Sequence, residues 1–148
     1  MKTSFIILLF PFLIQQQNNY QIDFGEEKKG RYWSVVNDGV MGGFSRGSKK
    51  LTKNSLLFKG NVSLDNNGGF SSLRRSFSEF DISNFEYVEI KYRSSGISLA
   101  LTFAVSRRWY VPNYKVSLDR TSSKWKTVTL KLTDLRKHYI GKAMNEQL

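Results

Sequence analysis

The stretch Tyr87-Val88-Glu89-Ile90-Lys91-Tyr92-Arg93 alternates between side chains that avoid water and side chains that seek it. In a strand successive side chains point to opposite faces, so Val88, Ile90 and Tyr92 face inward while Glu89, Lys91 and Arg93 face solvent. Half-buried antiparallel strands read this way. The stretch 125–132 repeats the pattern, with Val128, Leu130 and Leu132 as its inward set. Outward from these two, 55–64, 69–75, 97–105 and 114–118 are short runs rich in β-branched and aromatic residues, parted by clusters of Gly, Asn, Asp and Ser. The run 97–105 is apolar at nearly every position, which predicts a central strand with both faces covered or with one face lining a groove. Past the N-terminal segment, nothing longer than about two turns shows the helical period. The expectation is an all-β fold, a β-sandwich of the jelly-roll kind.

Composition bounds what such a domain can do. The 148 residues hold 23 Lys+Arg against 12 Asp+Glu, a formal net charge of +11, with no cysteine and a single histidine, His138. That is one domain's worth of chain, and the absence of thiols removes disulfides, thiolate zinc sites, iron-sulfur clusters and cysteine nucleophiles. One histidine excludes a multi-histidine metal site, so no metal and no cofactor are expected. The N-terminus places Lys2 before the apolar run 5–14, broken only by Pro11 and followed by Gln15-Gln16-Gln17-Asn18-Asn19. This is the layout of a secretory signal peptide, too short to span a bilayer, and it predicts export to a periplasmic or extracellular space with residues 1–20 as the signal and 21–148 as the domain. No arginine precedes Arg31, so a mitochondrial presequence fits less well.

The densest unusual segment is Trp33-Ser34-Val35-Val36-Asn37-Asp38-Gly39-Val40-Met41-Gly42-Gly43-Phe44-Ser45-Arg46-Gly47. So many glycines mark positive φ angles or close approach by another segment. One reading is a tight connection in which Asn37 and Asp38 close turns through their own side chains. The other is one wall of a binding site, with Asn37 and Asp38 as fixed acceptors and Trp33 as an apolar platform. Gly43-Phe44-Ser45-Arg46-Gly47 also matches the Gly-x-Ser-x-Gly elbow of hydrolases, with Asp119 and His138 following in order. An elbow needs a buried strand before the serine and a helix after it, and 48–53 has no helical pattern, so no catalytic residue is expected. A second cluster, Asp65-Asn66-Asn67-Gly68-Gly69-Phe70-Ser71-Ser72-Leu73-Arg74, reads as a β-hairpin loop with Asn67 and Gly68 left-handed.

Positive charge comes in doublets: Lys28-Lys29, Lys49-Lys50, Arg74-Arg75 and Arg107-Arg108. Scattered cations most often mean a solvated surface, and an exported chain is not expected to meet nucleic acid. Arg107-Arg108-Trp109-Tyr110 interleaves cations with aromatics, and Trp109, Tyr110 and Tyr114 would stack on sugar rings if the chain were an exported carbohydrate-binding module. Asn61-Val62-Ser63 is a glycosylation sequon.

The two glycine clusters and their spacing carry a family resemblance. Trp33, Val36 to Gly43 with Ser45, then Phe58-Lys59-Gly60-Asn61-Val62-Ser63-Leu64, Asn67-Gly68-Gly69-Phe70 and Ser72-Leu73-Arg74 resemble the complex I intermediate-associated protein 30 family, and Trp125-Lys126-Thr127-Val128-Thr129-Leu130 resembles its late Trp-x-x-Val-x-Leu strand. The resemblance runs from about Phe24 to Ile140. It implies a galactose-binding-like sandwich without known catalysis. Mitochondrial members serve as chaperones in assembly of NADH:ubiquinone oxidoreductase, and bacterial members are often exported single domains. The family continues into closing strands beyond the point matching Leu148, so the resemblance implies a sandwich that lacks them and keeps an open sheet edge. By the same token Trp33, Asn37, Asp38, Gly42, Gly43, Ser45, Asn67, Gly68, Gly69 and Phe70 are candidate binding positions. The expected partner is a protein, an assembly intermediate of a membrane complex being one candidate, with carbohydrate as the other reading.

Overall fold

The computed structural model describes residues 19–139 and 142–147, apart from Glu26, Ile97 and Trp109. Residues 1–20, expected to form a signal, therefore lie almost wholly outside the described residues. Among those described there is no α-helix, only strands joined by turns and short 3-10 segments. The strands are β1 (Trp33–Asn37), β2 (Arg46–Thr52), β3 (Ser55–Asn61), β4 (Ser71–Arg75), β5 (Tyr87–Tyr92), β6 (Leu99–Phe103), β7 (Asn113–Leu118), β8 (Lys126–Lys131), β9 (Arg136–Tyr139) and β10 (Lys142–Gln147). They pair antiparallel in four ladders: β1 with β4, β2 with β3, β5 with β8, and β10-β9-β7-β6. The architecture is all-β and consistent with a β-sandwich. The order of a jelly roll is a finer statement than these ladders make.

The alternating strands behave as their pattern requires. Ile90 stands opposite Val128 and Val88 opposite Leu130, all four half-buried, while Glu89, Lys91, Thr129 and Lys131 are exposed. Cross-strand apolar pairs of this kind are the unit that stabilises a ladder. Leu132, read as part of the second strand, falls instead in a 3-10 turn, Leu132–Asp134, although it remains half-buried.

Two expectations are corrected. The run 97–105 contributes β6, the terminal strand of the four-stranded ladder, with Ala100 and Thr102 exposed and Leu99, Leu101 and Phe103 half-buried. It is not a central strand covered on both faces, because small and hydroxylated residues at alternate positions let one face meet water without burying or exposing large apolar area. The cluster 65–70 is not a hairpin loop either. It joins β3 to β4, which pair with β2 and β1 respectively, and its left-handed positions are Asn66 (φ 52) and Gly69 (φ 138), whereas Gly68 has φ −70.

The most deeply buried apolar side chains among the described residues are Tyr92, Leu118 and Leu135. They sit at the end of β5, the end of β7 and just before β9. A polar clasp lies beside them: the Tyr92 hydroxyl donates to the Asp119 carbonyl at 2.8 Å, Ser94 N donates to Thr121 Oγ1 at 2.7 Å, and Thr121 N donates to Ser94 Oγ at 3.2 Å. Ser94 and Thr121 are themselves buried, so these reciprocal bonds satisfy groups that water does not reach.

Candidate functional site

β1 ends at Asn37, and the chain turns at once through a 3-10 segment, Asp38–Met41, closed by Gly42 in the left-handed region at φ 87. The carbonyl of Asp38 accepts from Gly43 N at 3.1 Å, and its N–H reaches across to the Phe70 carbonyl at 3.3 Å. One residue thus pins its own turn and a loop more than thirty positions away.

Its side chain does more. Asp38 Oδ1 accepts from Ser45 N at 2.9 Å, and Oδ2 accepts from Gly69 N at 2.7 Å, from Phe70 N at 3.3 Å and from the Ser45 hydroxyl. The same hydroxyl oxygen accepts from Ser63 N at 3.1 Å. Asp38 and Ser45 both have 0% exposure. Burial alone would raise the Asp38 carboxyl, but the Ser45 hydroxyl and the N–H groups of Gly69, Ser45 and Phe70 all favour the charged form, and the balance lowers it to about 2. No lysine or arginine hydrogen-bonds to this carboxylate among the described residues. A buried charge satisfied by dipoles alone holds four donors in fixed directions, which makes it a template for the two glycine loops that supply them.

The glycines are there because the carboxylate is. A Cβ on Gly43 would stand 2.4 Å from Asp38 Cγ, and one on Gly68 would stand 2.7 Å from Asp38 Oδ2, both closer than real side chains approach. Alongside the knot, Ser71 Oγ donates to Asn37 Oδ1 at 2.7 Å and Ser72 Oγ to the Val36 carbonyl at 3.2 Å. These fasten β1 to β4 by side chains as well as by the ladder.

The candidates thus fall into three groups. Asn37, Asp38, Gly42, Gly43, Ser45, Gly68, Gly69 and Phe70 come together in one double loop, and Asn67 lies in its 3-10 segment, Asp65–Asn67. Asp38 and Ser45 are interior to it, so their acceptors serve the loops and not a ligand at the surface. Trp33 is elsewhere: it opens β1 at the end remote from Asp38, opposite Arg75, with its ring centroid 5.2 Å from that of Phe24. Trp109 lies outside the described residues, Tyr110 is exposed in the connection from β6 to β7, and Tyr114 is half-buried in β7. The described residues therefore supply no row of exposed aromatics for sugar stacking there. Ser45 spends its hydroxyl on Asp38 and Ser63, while His138 sits in β9 opposite Asn113, and no hydrogen bond joins the two.

Sequence reasoning missed what the knot displays. Val40 (78% exposed), Met41 (62%), Phe44 (54%) and Leu64 (81%) stand out from the two loops. The Asn66 side chain donates to the Gly42 carbonyl at 3.4 Å and ties one loop to the other. A Cβ built on Gly39 or Gly42 meets nothing within 4 Å, so the outer side of the turn, opposite the buried Asp38, faces open space. The available signal was Val40, Met41 and Phe44 embedded among glycines with neither strand nor helix period, a pattern no core position requires; Leu64 carried none, because it reads as the end of the run 55–64 and falls beyond β3 in the structure. Among the described residues no three His, Asp or Glu side chains gather as a metal-binding group.

In this all-β domain the polar groups of the double loop are spent on holding the loops together, and apolar side chains of the same loops are left to solvent. The family model described as Complex I intermediate-associated protein 30 matches residues 22–148. The chain belongs to that family. No curated protein matches it.

Proposed function

We propose that the protein is a non-enzymatic binding module that assists assembly of a membrane complex by engaging a protein partner through its double glycine loop. Membership of the complex I intermediate-associated protein 30 family supports an assembly-related role. The observation that carries the reading is the contrast at the knot: below, a buried carboxylate fixes both loops; above, Val40, Met41, Phe44 and Leu64 are left to solvent. Rigid loops lose little entropy on binding, and exposed apolar side chains on them supply area that a partner can take out of water. Ser45 and Asp38 engage each other in the interior, which favours a structural role for the Gly-x-Ser-x-Gly match over a nucleophile. The N-terminal layout supports action outside the cytosol.

The test is affinity capture from the native host with the full chain as bait. A reproducible partner belonging to a membrane complex, lost with the Phe44→Ser/Leu64→Ser variant while the variant's circular dichroism stays unchanged, supports the reading. Retention of the partner by that variant overturns it, as would turnover of an ester substrate that disappears in Ser45→Ala.

A further inference from the structure

Beside the double loop, the β2–β3 hairpin turns a second surface outward. Between Gly39 and Leu64 the sequence has no acidic residue and five basic ones, Arg46, Lys49, Lys50, Lys53 and Lys59. The ladder sorts them. Arg46 stands opposite Asn61, Ser48 opposite Lys59 and Lys50 opposite Leu57, and directly opposed residues share a face. Arg46, Lys50 and Lys59 therefore lie on one face with Leu57, and all four are exposed; Lys53, also exposed, extends it at the turn. The other face looks inward. There a Cβ on Gly47 would meet Ser71 Oγ and Val35 Cγ1, Leu51 reaches Gly30, and Lys49 donates to the Trp33 carbonyl. The ion pairs among the described residues, Lys28 with Asp23 and Lys126 with Asp119, involve none of the outward cations.

The geometry points to this outward face as a docking surface for an anionic lipid bilayer. Three features select that occupant. The face is a two-stranded ribbon about 20 Å long with cations along it and no acidic side chain between them, so its charge has no internal complement. It has no aromatic side chain to anchor a protein hot spot or to stack a nucleic-acid base, its one apolar residue being Leu57. A fluid layer of anionic headgroups needs no shape complement, and clusters of four or more cations are what such layers attract. The surface is distinct from the double loop, and the inference goes beyond the assembly reading by supplying a way to hold the module at a membrane while the loops stay free.

The experiment is co-sedimentation of the full chain with phosphatidylcholine vesicles and with vesicles in which a minority of the lipid is phosphatidylglycerol. Attachment to neutral vesicles reports the N-terminal apolar run, so the readout is the excess on anionic ones. We expect that excess to vanish as added salt shortens the Debye length from about 10 Å to about 3 Å, and to fall at least about tenfold in Lys50→Glu/Lys59→Glu. Lys91→Glu/Lys131→Glu, exposed on the β5–β8 ladder with the same change in net charge, should keep it. Equal attachment to both vesicle types overturns the inference, as does an equal loss in the two double variants, which would reduce it to net charge. Binding of a labelled polyglutamate peptide by the wild type but not by Lys50→Glu/Lys59→Glu, with no excess on anionic vesicles, would give the face to an acidic protein and likewise overturn it. None of these outcomes depends on the capture experiment with Phe44 and Leu64.

Discussion

Two polar clasps hold this protein, and they are built from opposite materials. One is the ionised Asp38 carboxylate, with donors from Ser45, Gly69 and Phe70 converging on it. The other is the neutral pair Ser94 and Thr121, joined by hydroxyl and backbone bonds. Both tie segments remote in sequence, and both are buried. The difference is in what each can do for its neighbours. A carboxylate offers several lone-pair directions and a full charge, so it organises loops without regular hydrogen bonding; a hydroxyl pair can only close a gap between segments that strands have already brought together. The irregular part of the fold therefore carries the charge, and the regular part does without it.

Replacing Asp38 should break the comparison most sharply. In Asp38→Asn the amide can accept on one side only and turns an N–H donor toward other donors, so several buried groups lose their partner. We expect the melting temperature to fall by on the order of 10 °C, with Val40, Met41, Phe44 and Leu64 no longer held in one place, read by calorimetry and by hydrogen exchange at 38–45 and 63–70. Gly43→Ala comes next: the methyl must displace the carboxylate it would overlap, at a cost of about 1–3 kcal/mol in urea unfolding. Thr121→Val tests the neutral clasp. It keeps the shape but leaves the buried Ser94 N–H without its acceptor, at about 1–2 kcal/mol.

Titration sharpens the contrast further. Asp38 is lowered from 3.8 to about 2 in the fold, so the unfolded chain binds its proton first as pH falls. Its stabilisation is complete above 3.8 and drains away as pH falls toward 2. Thr121→Val should keep this acid limb, and Asp38→Asn should lose most of it, leaving the smaller part due to Asp23 and Asp81, which are also lowered by hydrogen bonds from Lys28 and from Ser83 N–H. The smallest effect belongs to His138, lowered first by burial and then by the Lys115 charge. The fold prefers its neutral form, so stability is undiminished above the ordinary value of 6.5 and declines as pH falls through it. In His138→Gln that step should disappear, moving the melting temperature at pH 5 by about 2 °C or less.

Legibility in the sequence followed the period of the side chains. The β5 and β8 strands were readable because their alternation is local and their inward residues are apolar. β2 was not, since Arg46-Gly47-Ser48-Lys49-Lys50-Leu51-Thr52 has few apolar residues to mark its inner face: Gly47 is there to admit Ser71, and Lys49 is there to reach a backbone carbonyl. β1 was hidden inside the glycine-rich segment for a similar reason. The candidate positions in the double loop are legible as a cluster of unusual residues, but nearness in sequence puts Trp33 beside them, and a five-residue strand carries it to the far end.

What the amino-acid order determined by itself was the strand-forming character of the chain, the absence of thiol chemistry, the excess of positive charge and the family, because each is a matter of composition or of short-range pattern. Only the tertiary structure decided that Asp38 is an interior acceptor, that Gly43 and Gly68 exist to make room for it, and that Arg46, Lys50 and Lys59 share one outward face. Those facts depend on backbone groups brought together from 31 residues apart, as Gly69 is to Asp38, and on ladder register. Neither is written in the local pattern, since a hydrogen-bond donor on the backbone is the same at every residue and becomes informative only once the fold has placed it beside a charge.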